Sequence, residues 1–149
     1  MKKFAFRLQV VLNMREKTLE DKRLEMAQVV KRLNVQIEKL EGLKEKQERL
    51  TNELNGIYDN SEIDIGGIYT YKSFIAKLFD DIRNQEKIIS EWRKLLRIKQ
   101  NEVNEALKQV KILENLKEKE EKKFNDFINY QEAKEIDDIV TTRYKANVN

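Results

Sequence analysis

Proton transfer and metal binding need carboxylates that converge, and the chain offers two adjacent aspartate pairs, Asp80-Asp81 and Asp137-Asp138. Both fall in stretches patterned as helix. Neighbouring side chains on a helix point about 100° apart, so neither pair can close on one proton or one metal ion. The serines, Ser61, Ser73 and Ser90, have no imidazole to activate them, because the chain contains no histidine. It contains no cysteine either, which removes thiolate nucleophiles, disulfides and thiolate metal sites. The Gly66-Gly67 pair lacks the Lys-Ser/Thr that completes a phosphate-binding loop. These residue types predict no catalytic, cofactor-binding or metal site, and a chain that is not an enzyme.

What the residues do carry is spacing. Ile68, Ile75, Ile82, Ile89, Leu96, Val103 and Val110 recur every seven positions, continued by Lys117 and Phe124. Three residues behind each lie Tyr71, Leu78, Gln85, Trp92, Lys99, Ala106, Leu113, Glu120 and Phe127. This is an a/d heptad pattern without a phase break. A repeat of 3.5 on a helix of 3.6 residues per turn draws one narrow apolar seam, which is buried by supercoiling against another helix. Such a helix is roughly 90 Å long at 1.5 Å per residue, longer than any globular core requires.

An earlier stretch repeats the pattern more weakly. Leu12, Leu19, Met26, Leu33, Leu40, Gln47 and Leu54 recur at seven, with Leu8, Arg15, Lys22, Val29, Gln36, Leu43, Leu50 and Ile57 as partners. Arg15 and Lys22 must extend their charged ends out of this seam. Val30 and Ile37 widen it. Between the two stretches lies the one break, Gly56 to Tyr69, rich in turn formers and carrying three of the four glycines. One break between two heptad helices predicts an all-α fold, two long helices forming an antiparallel coiled-coil hairpin. The expected boundaries are a single domain over residues 1–149, with helix one about 5–57, a linker about 58–69, helix two about 70–140 and a frayed tail about 145–149. Thr70 is the expected cap of the second helix.

Composition agrees. Charged residues make up 38% and apolar residues 40% of 149, with no proline and a net charge of +3. Both signs are interleaved, as on a solvated coiled-coil surface, and no basic face suggests nucleic acid. No run of 18 apolar residues could span a membrane. Arg7, Gln9 and Asn13 interrupt the apolar N-terminal stretch, which argues against a signal peptide. The expected location is the cytoplasm.

Two places hold more apolar surface than one partner helix needs. Phe74 stands outside the strict seam beside Tyr71, Leu78 and Phe79, so the start of the second helix is a candidate protein-binding surface. Farther on, the seam turns polar from Asn115 to Glu121 and resumes with Phe124 and Phe127. Those rings either pack on Phe4, Phe6 and Leu8 or form a second contact surface.

Three local patterns resemble the flagellar type III export protein FliJ family: Phe-Arg-Leu-Gln-x-Val-Leu at Phe6 to Leu12, Tyr71, Phe74, Leu78 and Ile82 at helical spacing, and Glu-Ile-Asp-Asp-Ile at Glu135 to Ile139 followed by Arg143. The resemblance covers nearly the whole chain. It implies a soluble, monomeric antiparallel coiled coil similar to the stalk of the rotary-ATPase γ subunit. Such a stalk promotes assembly and activity of the flagellar export ATPase ring. It couples the ring to the cytoplasmic domain of the export-gate membrane protein and escorts chaperones. It also implies a peripheral position on the cytoplasmic face of the inner membrane at the flagellar base. The implied gate-binding residues are Tyr71, Phe74, Leu78, Asp81 and Gln85, although Asp81 and Gln85 depart from the residue types of other members. The implied ring contacts are Phe6, Leu8, Val11, Leu12, Phe124, Phe127, Asp137 and Asp138. Leu78 stands in tension, since the heptad buries it and a gate contact needs it exposed. The alternative is a generic coiled-coil scaffold or chaperone, possible as a homodimer because β-branched a positions suit two strands. A prefoldin-like hairpin would need strand-forming segments that this linker lacks.

Overall fold

A computed structural model describes residues 2–59 and 64–148. It contains two helices, α1 (Gln9–Tyr58) and α2 (Ile65–Val148). Among the described residues there is no strand. The expectations for residues 60–63, the middle of the linker, lie outside the described part.

Contacts group the chain into two compact units. One joins residues up to Asp21 with those from Asn104 onward, and the other is Lys22–Val103. In the Lys22–Val103 unit, α1 meets α2 through Lys22 and Glu102, Glu25 and Lys99, Arg32 and Trp92, Gln36 and Gln85, and Glu53 and Tyr71. Partners on α2 retreat toward its N-terminus as those on α1 advance, which is antiparallel pairing. The other unit pairs the same way, through Phe4 and Phe124, Arg7 and Glu120, and Gln9 and Lys117.

The heptads mark the buried face almost residue for residue. Leu12, Leu19, Val29, Leu33 and Leu54 of α1 are buried, as are Leu78, Ile82, Ile89, Ala106 and Val110 of α2. The other apolar seam positions from Ile68 to Phe124 are half-buried, as expected when a two-helix pair covers each side chain from one direction only. Two seam positions fall out. Arg15 is exposed, its charge taken to water. Phe127 is 55% exposed, because no residue of α1 lies opposite it.

The helix ends differ from expectation. α1 starts at Gln9, not near Ala5: Phe6 is buried instead in a turn closed by a Gln9 N–H to Phe6 C=O bond of 3.1 Å. α2 starts at Ile65, not near Thr70. Asp64 is the cap, its Oδ1 accepting from the Gly66 N–H at 3.1 Å while its carbonyl accepts from Ile68 N–H at 3.0 Å. Both glycines thus enter the first turn, and Thr70 instead donates its hydroxyl to the Gly66 carbonyl at 3.0 Å. At the other end α2 stays helical to Val148, past the expected limit near 140. No proline or glycine interrupts it there, and Lys145 in the last turn complements the helix dipole.

Candidate functional site

The start of α2 is built on three anchors to α1. Leu78 fills the seam at 5% exposure. Gln85 is buried one heptad on, and its Nε2 donates to the Gln36 carbonyl at 2.9 Å and to Gln36 Oε1 at 2.8 Å. Tyr71 donates its hydroxyl to Glu53 Oε2 at 3.1 Å, and this carboxylate raises the hydroxyl's pKa above its ordinary value by holding the proton. The tension at Leu78 therefore resolves toward the seam. Leu78 and Gln85 are turned toward α1 rather than to solvent, because their heptad positions face α1 and Gln85's donors are already used.

Phe74 is what remains outside. It is 52% exposed and shares one edge of α2 with the half-buried Asp81, seven residues on. Lys77, Ser73, Thr70 and Tyr69 surround it in a shallow depression. The opposite edge carries an open groove of about 540 Å³, in which Ile75 and the exposed Phe79 line the α2 side and Leu54 and Thr51 the α1 side. The five residues implied for gate binding are thus brought to one end of the helix pair. Phe74 and Asp81 reach solvent, Tyr71 is half-covered, and Leu78 and Gln85 are enclosed.

The eight residues implied for ring contact divide in the same manner. Phe6 and Leu12 are core, the latter 3% exposed. Leu8 and Phe124 are half-buried, with the Phe124 ring tilted against Phe4 at 5.7 Å between centroids. Of the two alternatives for these rings, Phe124 takes the packed one and Phe127 the exposed one. Val11, Asp137 and Asp138 are exposed as well. Beyond Ile128 every described residue of α2 is exposed, so Asp137 and Asp138 stand on a helix with no partner.

Several contacts lie outside any sequence motif. Lys99 Nζ meets Glu25 Oε2 at 3.1 Å and Glu102 Oε2 at 3.4 Å, and Lys22 Nζ reaches the same two oxygens at 3.5 Å. The hydrogen bond to Lys99 lowers the Glu25 pKa, and the same bond raises that of Lys99. Arg32 lies over the Trp92 ring at 5.9 Å, within cation–π range. These pairs become visible only once the register is known. The heptad positions of Lys22 and Lys99 are the one signal that hinted at them.

Among the described residues no group of acidic side chains could hold a metal ion, and no helix is long and apolar enough to cross a membrane. No curated protein and no solved structure matches the chain. Residues 3–149 match the family described as flagellar FliJ protein. With that match spanning essentially the whole of a two-helix antiparallel coiled coil, the chain belongs to the flagellar FliJ family, a component of the flagellar export apparatus.

Proposed function

We propose that this protein is a non-enzymatic coupling stalk in flagellar export, joining the export ATPase ring to the cytoplasmic domain of the export-gate protein and escorting chaperones. The coupling is mechanical: contacts of the helices with the ring and with the gate, rather than a chemical step, link the two. The gate contact is the outward edge at the start of α2, with Phe74 as its anchor, Asp81 as its polar rim and Tyr71 holding the helix in place. The ring contact uses the end bearing Val11, Phe127, Asp137 and Asp138. Phe6, Leu8, Leu12 and Phe124 support that end from within. The protein acts on the cytoplasmic face of the membrane without entering it.

The observation that carries this reading is the exposure of Phe74 beside a seam that is otherwise closed. A large aromatic ring left half in water one turn from the buried Leu78, with the exposed Phe79 and Tyr69 close by in sequence, supports a protein contact at the start of α2. The test is binding of the full chain to the soluble domain of the cognate gate protein. Phe74→Ala is expected to weaken binding at least tenfold while leaving the chain folded and its helicity unchanged. Binding unaffected by Phe74→Ala would overturn the site. Wild-type protein that binds neither gate nor ATPase would overturn the function.

A further inference from the structure

The C-terminal part of α2 has a second apolar face that the helix pair does not use. Ile136, Val140 and Tyr144 are 60%, 60% and 71% exposed. On a helix of 3.6 residues per turn, Ala133, Ile136, Val140 and Tyr144 fall within an arc of about 80°. The last covered positions, Phe124 and Ile128, point to a different side, roughly 140° away from the middle of that arc. The stripe is therefore no continuation of the intramolecular seam, and α1 cannot cover it.

We propose that this stripe pairs antiparallel with the same stripe of a second copy of the chain. The argument is self-complementarity. A two-fold axis placed between Ile136 and Val140 sets each against the other across the interface. About that axis Ala133 faces Tyr144 of the second copy, a small side chain against a large one. In an antiparallel two-helix pair, like edges of the two stripes meet. Glu132 and Arg143 lie on the same edge, about 20° apart around the helix, and the axis brings each beside its opposite charge in the second copy. Tyr130, Asp137 and Val148 share the other edge; the same axis brings Tyr130 and Val148 together, 66% and 68% exposed, and sets the Asp137 carboxylates of the two copies side by side, which keeps the pairing weak. A parallel pair would set Ala133 against Ala133, leaving a void, and would separate Glu132 from Arg143. The interface spans about five helical turns per copy, so association is weak and concentration-dependent.

The test is sedimentation velocity of the full chain from micromolar to near-millimolar concentration. Wild-type protein is expected to move from the 17.9 kDa monomer toward a dimer. Arg143→Glu alone and Glu132→Arg alone are each expected to weaken self-association at least tenfold. An equimolar mixture of the two variants, or the double variant, is expected to restore it. Glu132 and Arg143 are both solvent-exposed, so circular dichroism of each variant should show unchanged helicity. A wild-type chain that stays monomeric throughout overturns the proposal. So does a dimer indifferent to the charge reversals, or one that the mixture and the double variant fail to recover.

Discussion

Leu78 and Phe74 stand one helical turn apart and answer to different forces. Leu78 is held by the seam, so Leu78→Ala leaves a cavity against α1 and is expected to destabilise the protein by about 2–4 kcal/mol in chemical or thermal unfolding. Phe74 stands outside the strict seam and is 52% exposed, so Phe74→Ala should cost less than Leu78→Ala, about 1 kcal/mol or less. A gate-binding loss for Leu78→Ala that tracks its unfolding would confirm that this residue acts through the fold. The ionised seam residues make a different prediction. Glu25 has its pKa lowered by Lys99, so its contribution is present above the ordinary value of 4.5 and fades as pH falls through the depressed value. Lys99 has its pKa raised, so its contribution is complete below 10.5 and fades as pH rises through the elevated value. The contribution of this ion cluster should therefore be constant between these limits. Lys99→Met should flatten the acid decline relative to wild type, by removing the stronger of Glu25's two lysine partners and leaving Lys22. The effect is small, because both side chains remain partly open to solvent and salt.

At the scale of the element, helix interiors were readable and helix ends were not. The apolar period in Ile68 to Val110 dictates which face is buried, whatever caps the helix. The start of α2 depends on which of two side chains wins the first orphan N–H groups. Thr70 was a reasonable candidate, but Asp64 lies ahead of the glycines and its carboxylate reaches Gly66 first. Asp64→Ala is expected to cost about 1 kcal/mol and to let the first turn of α2 fray, seen as faster amide exchange at Ile68 and Tyr69. Gly42, in the middle of α1, has open space where a Cβ would stand. Gly42→Ala should accordingly stabilise the protein, by up to about 1 kcal/mol of helix propensity, in the same unfolding assay.

Across the whole molecule, protection follows the seam. Every described residue of α2 beyond Ile128 is exposed, whereas buried positions recur along both helices elsewhere. Hydrogen exchange at low protein concentration is expected to be fast over residues 131–148 and slow around Leu33, Ile82 and Ile89. Uniform protection to the C-terminus in the isolated monomer would contradict this. The polar seam residues bear on specificity rather than strength. Gln85→Leu would exchange two hydrogen bonds to Gln36 for apolar burial and is expected to melt no lower than wild type, with additional oligomers in light scattering as the register loses its marker.

The sequence by itself determined the all-helical class, the single reversal, the two seams and the family, because heptad spacing is a one-dimensional code for a one-dimensional interface. It also located the aromatic excess at Phe74 and the polar gap from Asn115 to Glu121 ahead of Phe124 and Phe127. Tertiary structure decided the pairing register, and with it which side chains of each implied site face outward. Arg32 reaches Trp92, Glu53 takes the Tyr71 hydroxyl and Gln36 takes the Gln85 amide only because of how far one helix is offset against the other. A repeat of seven is satisfied by any offset of seven. The periodicity that made the fold legible therefore left the register open, and side-chain contacts across the seam had to choose it.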